Sequence, residues 1–458
     1  MINAATAPLA VPRWLPPDDA QRAELHDEVH ARPPGRILLP ALVVYVAVLN
    51  EGVSREDERR HLQRLPDQGA LGAEAMQGQF LRLQLPGGAA LKWERHSEFT
   101  RYTLLQSLPD KVWAAEPFLP PADPPLLNAL AVPGEWLREI PGRTVAAINL
   151  AMVTEPLDDP AAALARARAW FAERPLVASL MGHHGHSCVV TDFLVQPGGF
   201  ERMLVMAPPG TTPTRAGRIS QRLLEMETYR LMALRGLPVA KALSPMLQDT
   251  GRGLAGITAS LEDTAASDQE LLDRLTTLAA RVERSTAEHG YRFAATRAYE
   301  AIVRQRIGEL RERAIPGTQT IGEFMQRRLS PAIATVAATE QRLAALSQRV
   351  ERAGALLRTR VDIATEAQNQ QLLAKLTRGQ ALQLQLQSTV EGLSIAAISY
   401  YVVSLVLYGA KAAKEGGLGA ALGVAIRPEL MAGASIPLVL WVVWRTVRRI
   451  HAALHDRP

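Results

Sequence analysis

A single cysteine, Cys188, leaves this chain without an intramolecular disulfide, so no covalent staple sets its fold. Aromatic residues are scarce at 5%, and no dense basic stripe is interleaved with them. That removes the usual footprint of a nucleic-acid binder, and no nucleic acid is expected as a partner. The opening MINAATAPLAVPRWLPPDDA lacks a basic stretch followed by an apolar one and does not read as a signal peptide. The soluble part is therefore expected on the cytoplasmic side. A Walker A loop, a GxGxxG after a strand, a GxSxG elbow and a CxxC pair are all missing, so nucleotide-driven or nucleophilic catalysis has no support. The net charge of +5 is modest for 458 residues, and a hydrophobic share of 47% is too low for a polytopic membrane protein.

A chain this long needs two or three structural units. Its most conspicuous stretch is Gly392–Ala410, nineteen residues with no formal charge. That is close to the roughly 20 residues a helix needs to cross a hydrocarbon core. A second apolar run, Leu430–Trp444, ends in Arg445, Arg448 and Arg449. The expected layout follows from these two. Residues 1–20 are a disordered N-terminal segment, and 21–212 a cytoplasmic α+β domain. Then come a helical region at 213–315 and a long stalk or coiled-coil helix at 316–390. Transmembrane helices at 391–410 and 430–447 flank a loop at 411–429, and 448–458 is a basic cytoplasmic tail. The fold class is α+β: a mixed sheet domain, a long-helix stalk and a two-helix membrane hairpin. Basic residues after the second span and before the first place both ends in the cytoplasm.

Within the first domain, Gln21–Ala31 suits a short helix and ILLPALVVYVAVLN a buried strand. Ser54 caps the next helix, with Asp57 at the third position. Strands are expected at Gln79–Leu85, Leu91–Ser97 and Phe99–Gln106, then Pro-rich linker from Pro117 to Pro133. A strand at Arg143–Val153, a helix at Asp159–Ala172 and strands at Ser187–Val195 and Phe200–Met206 repeat that order, which suggests a βαββ duplication. Past Pro213 helical periodicity dominates. Tyr291–Arg313 reads as a third helical run. Val336, Leu343, Val350, Leu357 and Ala364 recur every seven residues, with Leu346 and Ala353 between them. Such a seam packs against another helix, of the same chain or of another copy.

Three polar clusters invite a chemical reading. In HDEVH, His26 and His30 share a helical face around Glu28, the spacing of a zinc-binding pair, with Asp27 where a general base would sit. In KWERHSEF, period-two alternation puts Glu94, His96 and Glu98 on one face and Trp93, Arg95 and Phe99 on the other. That face suits a cation or basic partner, or is simply solvated. In GHHGHSC, three histidines precede Cys188, with no second ligand pair to complete a structural zinc site. A membrane-tethered metalloenzyme is a minor alternative, catalytic residues are not assigned, and the cofactor and the metal stay unknown. In the first span, Ser399, Tyr400, Ser404, Tyr408 and Gly409 mark a hydroxyl-bearing face suited to helix packing or a pore.

Taken together, RAELHDEVHARPP, KWERHSEFTRYT and VEGLSIAAISYYVVSLVLYGAK resemble a bacterial family of predicted membrane-anchored proteins, domain of unknown function 3422. The resemblance implies an inner-membrane location and carries no reaction. The layout is also similar to CorA-type magnesium channels: Tyr408-Gly409 stands at the YGMN position and Arg427-Pro428-Glu429 at the MPE of that family's loop. Ala410 and Lys411 replace its Met-Asn, and a lysine there would repel Mg²⁺. The function expected is a membrane-anchored, non-enzymatic oligomer with a cytoplasmic ligand- or partner-binding domain. Its partners are the bilayer and further copies of itself, through the stalk and transmembrane helices. The alternative is a divergent CorA-like channel or transporter.

Overall fold

The computed structural model describes residues 19, 21–22, 35–108, 130–171, 174–182, 184–262, 266–415 and 427–455, apart from the side chains of 450–455. Most of the expected helix at Gln21–Ala31 and most of the Pro-rich linker fall outside them. The chain forms two compact units, Met1–Ala353 and Gly354–Pro458.

The first unit is built on a nine-stranded sheet. Its strands are β1 (Ala41–Leu49), β2 (Phe80–Gln84), β3 (Ala90–Arg95), β4 (Phe99–Ser107), β5 (Arg143–Thr154), β6 (Val177–Met181), β7 (Ser187–Val195), β8 (Glu201–Ala207) and β9 (Arg313–Ala314). They lie in the order β2-β3-β4-β1-β5-β8-β7-β6-β9. The run ALVVYVAVL forms β1, and all nine of its residues are buried. Apolar side chains on both faces of a strand require cover on both faces of its sheet.

That cover comes from helices. One face sends Leu42, Val44, Val46 and Val48 into a core with Leu62, Trp136, Leu164 and Trp170. Those partners belong to α1 (Arg55–Leu62), α2 (Gly134–Arg138) and α3 (Pro160–Trp170). The other face sends Val43, Tyr45 and Ala47 into a core with Leu223, Met226, Val303, Leu310 and Met325. These come from α4 (Pro213–Leu234), α6 (Asp268–Leu310) and the start of α7 (Ile321–Glu415), while α5 (Gly236–Ser260) follows α4. Helix α4 ends at Leu234, with Arg235 as its C-cap, where Pro238 lacks the N–H that would bond to the carbonyl of Leu234. Two helix starts match the sequence reading. Ser54 accepts from Asp57 N, and the Asp57 carboxylate closes the capping box. Asp159 accepts from Ala161 N and Ala162 N.

Each half of the sheet runs strand, helix, then three strands, with the last strand beside the first. The halves differ in direction: β4 pairs with β1 antiparallel, whereas β8 pairs with β5 parallel. Two expectations change. The run Val177–Met181 is a strand that the sequence reading passed over. The run from Tyr291 is no separate helix but the second half of α6, 43 residues long.

The seven-residue seam finds its partner inside the unit. Val336, Leu343, Leu346, Val350 and Ala353 are buried. A Cβ placed on Gly236 would meet Thr296 Oγ1 at 2.4 Å and Val336 at 3.3 Å. One on Gly251 would meet Leu346 at 3.9 Å. Helices α5, α6 and α7 therefore pack side by side, and up to Ala353 the seam is intramolecular.

His61 shows how this core responds to pH. Its ring is stacked on Trp136 at 4.4 Å, and Trp136 Nε1 donates to the His61 carbonyl at 3.0 Å. Burial, reinforced by Arg64, pulls its pKa down to about 4. An unfolded histidine takes a proton near its ordinary value of about 6.5. The stability that neutral His61 contributes is therefore complete above that value and lost as pH falls toward about 4. The wild type is expected to lose more thermal stability between pH 7 and pH 4.5 than His61→Gln. Parallel melting curves for the two would contradict this.

The second unit holds the C-terminal part of α7 and α8 (Pro428–His455). Each helix buries one narrow stripe, with Ser399 and Ala410 on the first and Ala432 and Val439 on the second. Their large apolar side chains, among them Leu405, Leu438 and Trp441, stay exposed.

Candidate functional site

Two neighbouring rows across the sheet build the floor of a cavity. Pairing aligns Phe80, Glu94, Arg101 and Ala47 in one row, and Arg82, Lys92, Thr103 and Tyr45 in the next. Alternation sends Trp93 and Tyr102 to the opposite core, so both rows face α4. The helix lays Gly217, Ser220, Gln221 and Leu224 over them, enclosing about 330 Å³. That volume falls in the usual range for small-molecule sites. The segment Gly35–Ile37 forms a side wall, anchored by Ile37 N donating to the Pro213 carbonyl at 3.0 Å. A Cβ on Gly217 would sit 1.5 Å from the Gly35 carbonyl oxygen, so only glycine lets this segment cross the helix.

Four cations line the cavity, Arg36, Arg82, Lys92 and Arg101, against one carboxylate, Glu94. Arg101 is only 3% exposed and Glu94 1%. Arg101 Nη2 donates to Glu94 Oε1 at 2.9 Å, and its Nε lies 2.6 Å from Oε2. Lys92 Nζ sits 3.0 Å from Glu94 and 5.4 Å from the Phe80 ring centroid. Burial pushes the Glu94 carboxyl up, but Arg101 and Lys92 outweigh it and hold it below the usual carboxylate range. Burial lowers the Lys92 ammonium and Glu94 only partly restores it. Thr228 Oγ1 donates to the Leu224 carbonyl, so Tyr45 Oη donates to Thr228 at 2.6 Å. Burial pushes that phenol up to about 12, against the pull of Arg101.

The charges continue behind the floor as a ladder. Arg101 Nη2 is 3.6 Å from Glu225 Oε1, and Arg306 Nε is 2.8 Å from Glu225 Oε2. Arg306 Nη1 lies 3.0 Å from Glu309, which also receives Arg222 Nε at 3.1 Å. From Lys92 to Arg222 the side chains alternate in sign. Each buried carboxylate is neutralised from both sides, the condition for keeping it charged out of water.

The expected face of Glu94, His96 and Glu98 does not form. Strand β3 ends at Arg95, and His96 N donates to the Phe99 carbonyl at 2.8 Å across a tight turn. The turn resets the alternation, so Phe99 joins the α4-side core rather than the side of Trp93. His96 stacks on Phe99 at 4.5 Å. Glu98 pairs with Arg292 and accepts from Tyr299 Oη at 2.7 Å, in a cluster apart from Glu94. His26, Glu28 and His30 lie outside the described residues. His184 and His186 line a second cavity, whereas Cys188 is buried in the opposite core, its thiol pushed up to about 12 by burial. Among the described residues no group of three or more His, Cys, Asp or Glu side chains is placed to hold a metal. In the long helix, Ser399 is buried and Ser404 half-buried, whereas Tyr400, Tyr408 and Gly409 are exposed.

The residues that sequence reading missed are Lys92, Arg101 and Tyr45. Lys92 and Arg101 sit in the phrase KWERHSEFTRYT, and an arginine flanked by apolar and β-branched residues in a central strand was the available signal.

Fold and site together describe a protein with a sheet domain around a cation-lined cavity and two apolar C-terminal helices. The chain belongs to the family described as Protein of unknown function (DUF3422), whose model matches residues 17–454. No curated protein and no solved structure matches it, so the likeness of layout to CorA-type channels gains no support from comparison.

Proposed function

We propose that this protein is a membrane-anchored, non-enzymatic receptor whose sheet domain binds a small anion with an apolar body. The observation that carries this reading is Arg101, a guanidinium buried at the floor of an apolar-walled cavity with its Nη1 making no hydrogen bond to any described residue. A carboxylate or phosphate would complete that fork. Lys92 adds a half-desolvated ammonium, and Arg36 and Arg82 attract anions at the rim. The test is calorimetric titration of the full-length protein in nanodiscs with short-chain carboxylates and alkyl phosphates. Lys92→Met with Arg82→Gln should weaken binding at least ten-fold. Equal affinity in the variant and the wild type would sink the reading.

The anchoring half rests on α7 and α8. Both contain windows apolar enough to cross a membrane, with mean hydropathy 1.8 and 1.6, and only 6% and 11% of those windows is buried. A core helix of a soluble protein would bury such a surface. Arg445, Arg448 and Arg449 after the second span favour a cytoplasmic C-terminus, with Lys411, Lys414 and Arg427 in the intervening segment a weaker counterweight. A bacterial inner membrane with the sheet domain inside is the matching location.

We also propose self-association along α7. Leu372, Leu376, Leu386, Val390 and Leu393 follow a 3.5-residue repeat and are 57–74% exposed. The stripe runs into the first apolar window, so a second copy of the same helix is its natural cover. Because Cys188 is buried, a Leu386→Cys variant offers one reactive thiol. Mild oxidation in membranes should give a covalent dimer, and Leu384→Cys, on the opposite side of the helix, should not. Equal yields from the two positions would remove the proposal.

A further inference from the structure

A second cavity, of about 590 Å³, lies on the other flank of α4. Gly217, Ser220, Gln221 and Leu224 face the sheet cavity, whereas Arg215, Arg218 and Arg222 face this one. Spacings of three and four residues put these arginines on one side of the helix. The facing wall is the β6–β7 loop with His184 and His186, and the end of α6 adds Glu309 and Arg311.

The charge here is unbalanced. Four arginines and two histidines meet one carboxylate. That carboxylate is already engaged. Glu309 accepts from Arg222 Nε at 3.1 Å, Arg306 Nη1 at 3.0 Å and Gln305 Nε2 at 2.9 Å. Arg215 and Arg218 make no ion pair with any described residue. Like charges gathered around a concavity repel one another unless an anion sits between them. Burial lowers the His186 pKa, and the charge of Arg215 lowers it further. His186 Nδ1 is engaged with Ser187 Oγ at 2.9 Å.

We propose that this cavity binds a phosphate-type oxyanion, free or as a phosphomonoester, between Arg215, Arg218 and His186. Guanidinium forks match phosphate oxygens in pairs, which a carboxylate-lined or apolar cavity does not do. The volume accommodates more than the phosphate itself, so the group carrying it is accepted as well. The site is independent of the sheet cavity, because none of its three donors lines that cavity.

Calorimetry on the full-length protein in detergent, at constant ionic strength, tests it with inorganic phosphate, pyrophosphate and a short-chain lipid phosphomonoester. Saturable binding is expected in a Lys92→Met, Arg82→Gln background that silences the sheet cavity, and is weakened at least ten-fold when Arg215→Gln and Arg218→Gln are added to it. Both added changes fall on exposed arginines, so the variant should melt like its background. Tighter binding of the lipid than of pyrophosphate identifies a headgroup as the source. The reverse identifies a soluble phosphate. Unaltered affinity when the two arginine changes are added, or no saturable heat with any of the three titrants, overturns the proposal. Because the sheet cavity is silenced in both proteins compared, neither result bears on it, and the titration of the otherwise unaltered protein reports it separately.

Discussion

Arg101→Ala should destabilise the sheet unit by about 3–5 kcal/mol, the cost of breaking a buried ion pair from one side. The guanidinium touches two buried carboxylates, Glu94 and Glu225. Without it, Glu94 keeps only Lys92, and Glu225 keeps Arg306 and Gln221. Two charges held out of water would then be half-compensated, and the vacated volume would add a cavity beneath α4. The pair itself need not be worth that much. Replacing Arg101 and Glu94 together by methionine removes the charge and fills the space, and should recover most of the loss. Denaturation midpoints of the full-length protein in detergent distinguish the cases. A single variant within about 1 kcal/mol of wild type would mean that the cluster is solvated rather than buried.

Ile398→Asp with Leu405→Asp should abolish stable membrane association. Both positions are exposed and seven residues apart, on one face of α7 inside its apolar stretch. Insertion scales put an aspartate at a helix centre at about 2.5–3.5 kcal/mol, so two approach about 5–7 kcal/mol. The wild type should remain in carbonate-washed membranes, and the variant should appear in the supernatant or be degraded. Release of the wild type by carbonate without detergent would show that these helices lie in no bilayer.

Much of this architecture was legible because it is local. Ser54 and Asp57, Asp159, the apolar run of β1 and the two C-terminal stretches each declare themselves within a few residues. The stripe from Val336 to Val350 was legible as a stripe, but its period is silent on whether the partner helix belongs to the same chain. Gly236 and Gly251 decide that through contacts nearly a hundred residues away in sequence. The candidate site was hidden for the same reason. Glu94 looked like a free carboxylate on an open face. What neutralises it is a register that sets Arg101 directly opposite and an α4 glutamate, Glu225, behind. The mistaken side for Phe99 arose from a turn that period-two counting cannot see. Residues such as Val177–Met181 are too short and too mixed to announce a strand without the edges they pair with.

The ladder from Lys92 to Arg222 also constrains how this family can drift. Its rungs alternate in charge and each inner rung leans on two neighbours, so none of the inner rungs can be exchanged alone at little cost. A lineage that gives up Glu225 must give up or re-pair Arg101 and Arg306 in the same evolutionary step, or pass through a destabilised intermediate. Aligned relatives should therefore show these positions changing in concert, as charge-conserving sets, while the exposed face of α1 varies one residue at a time.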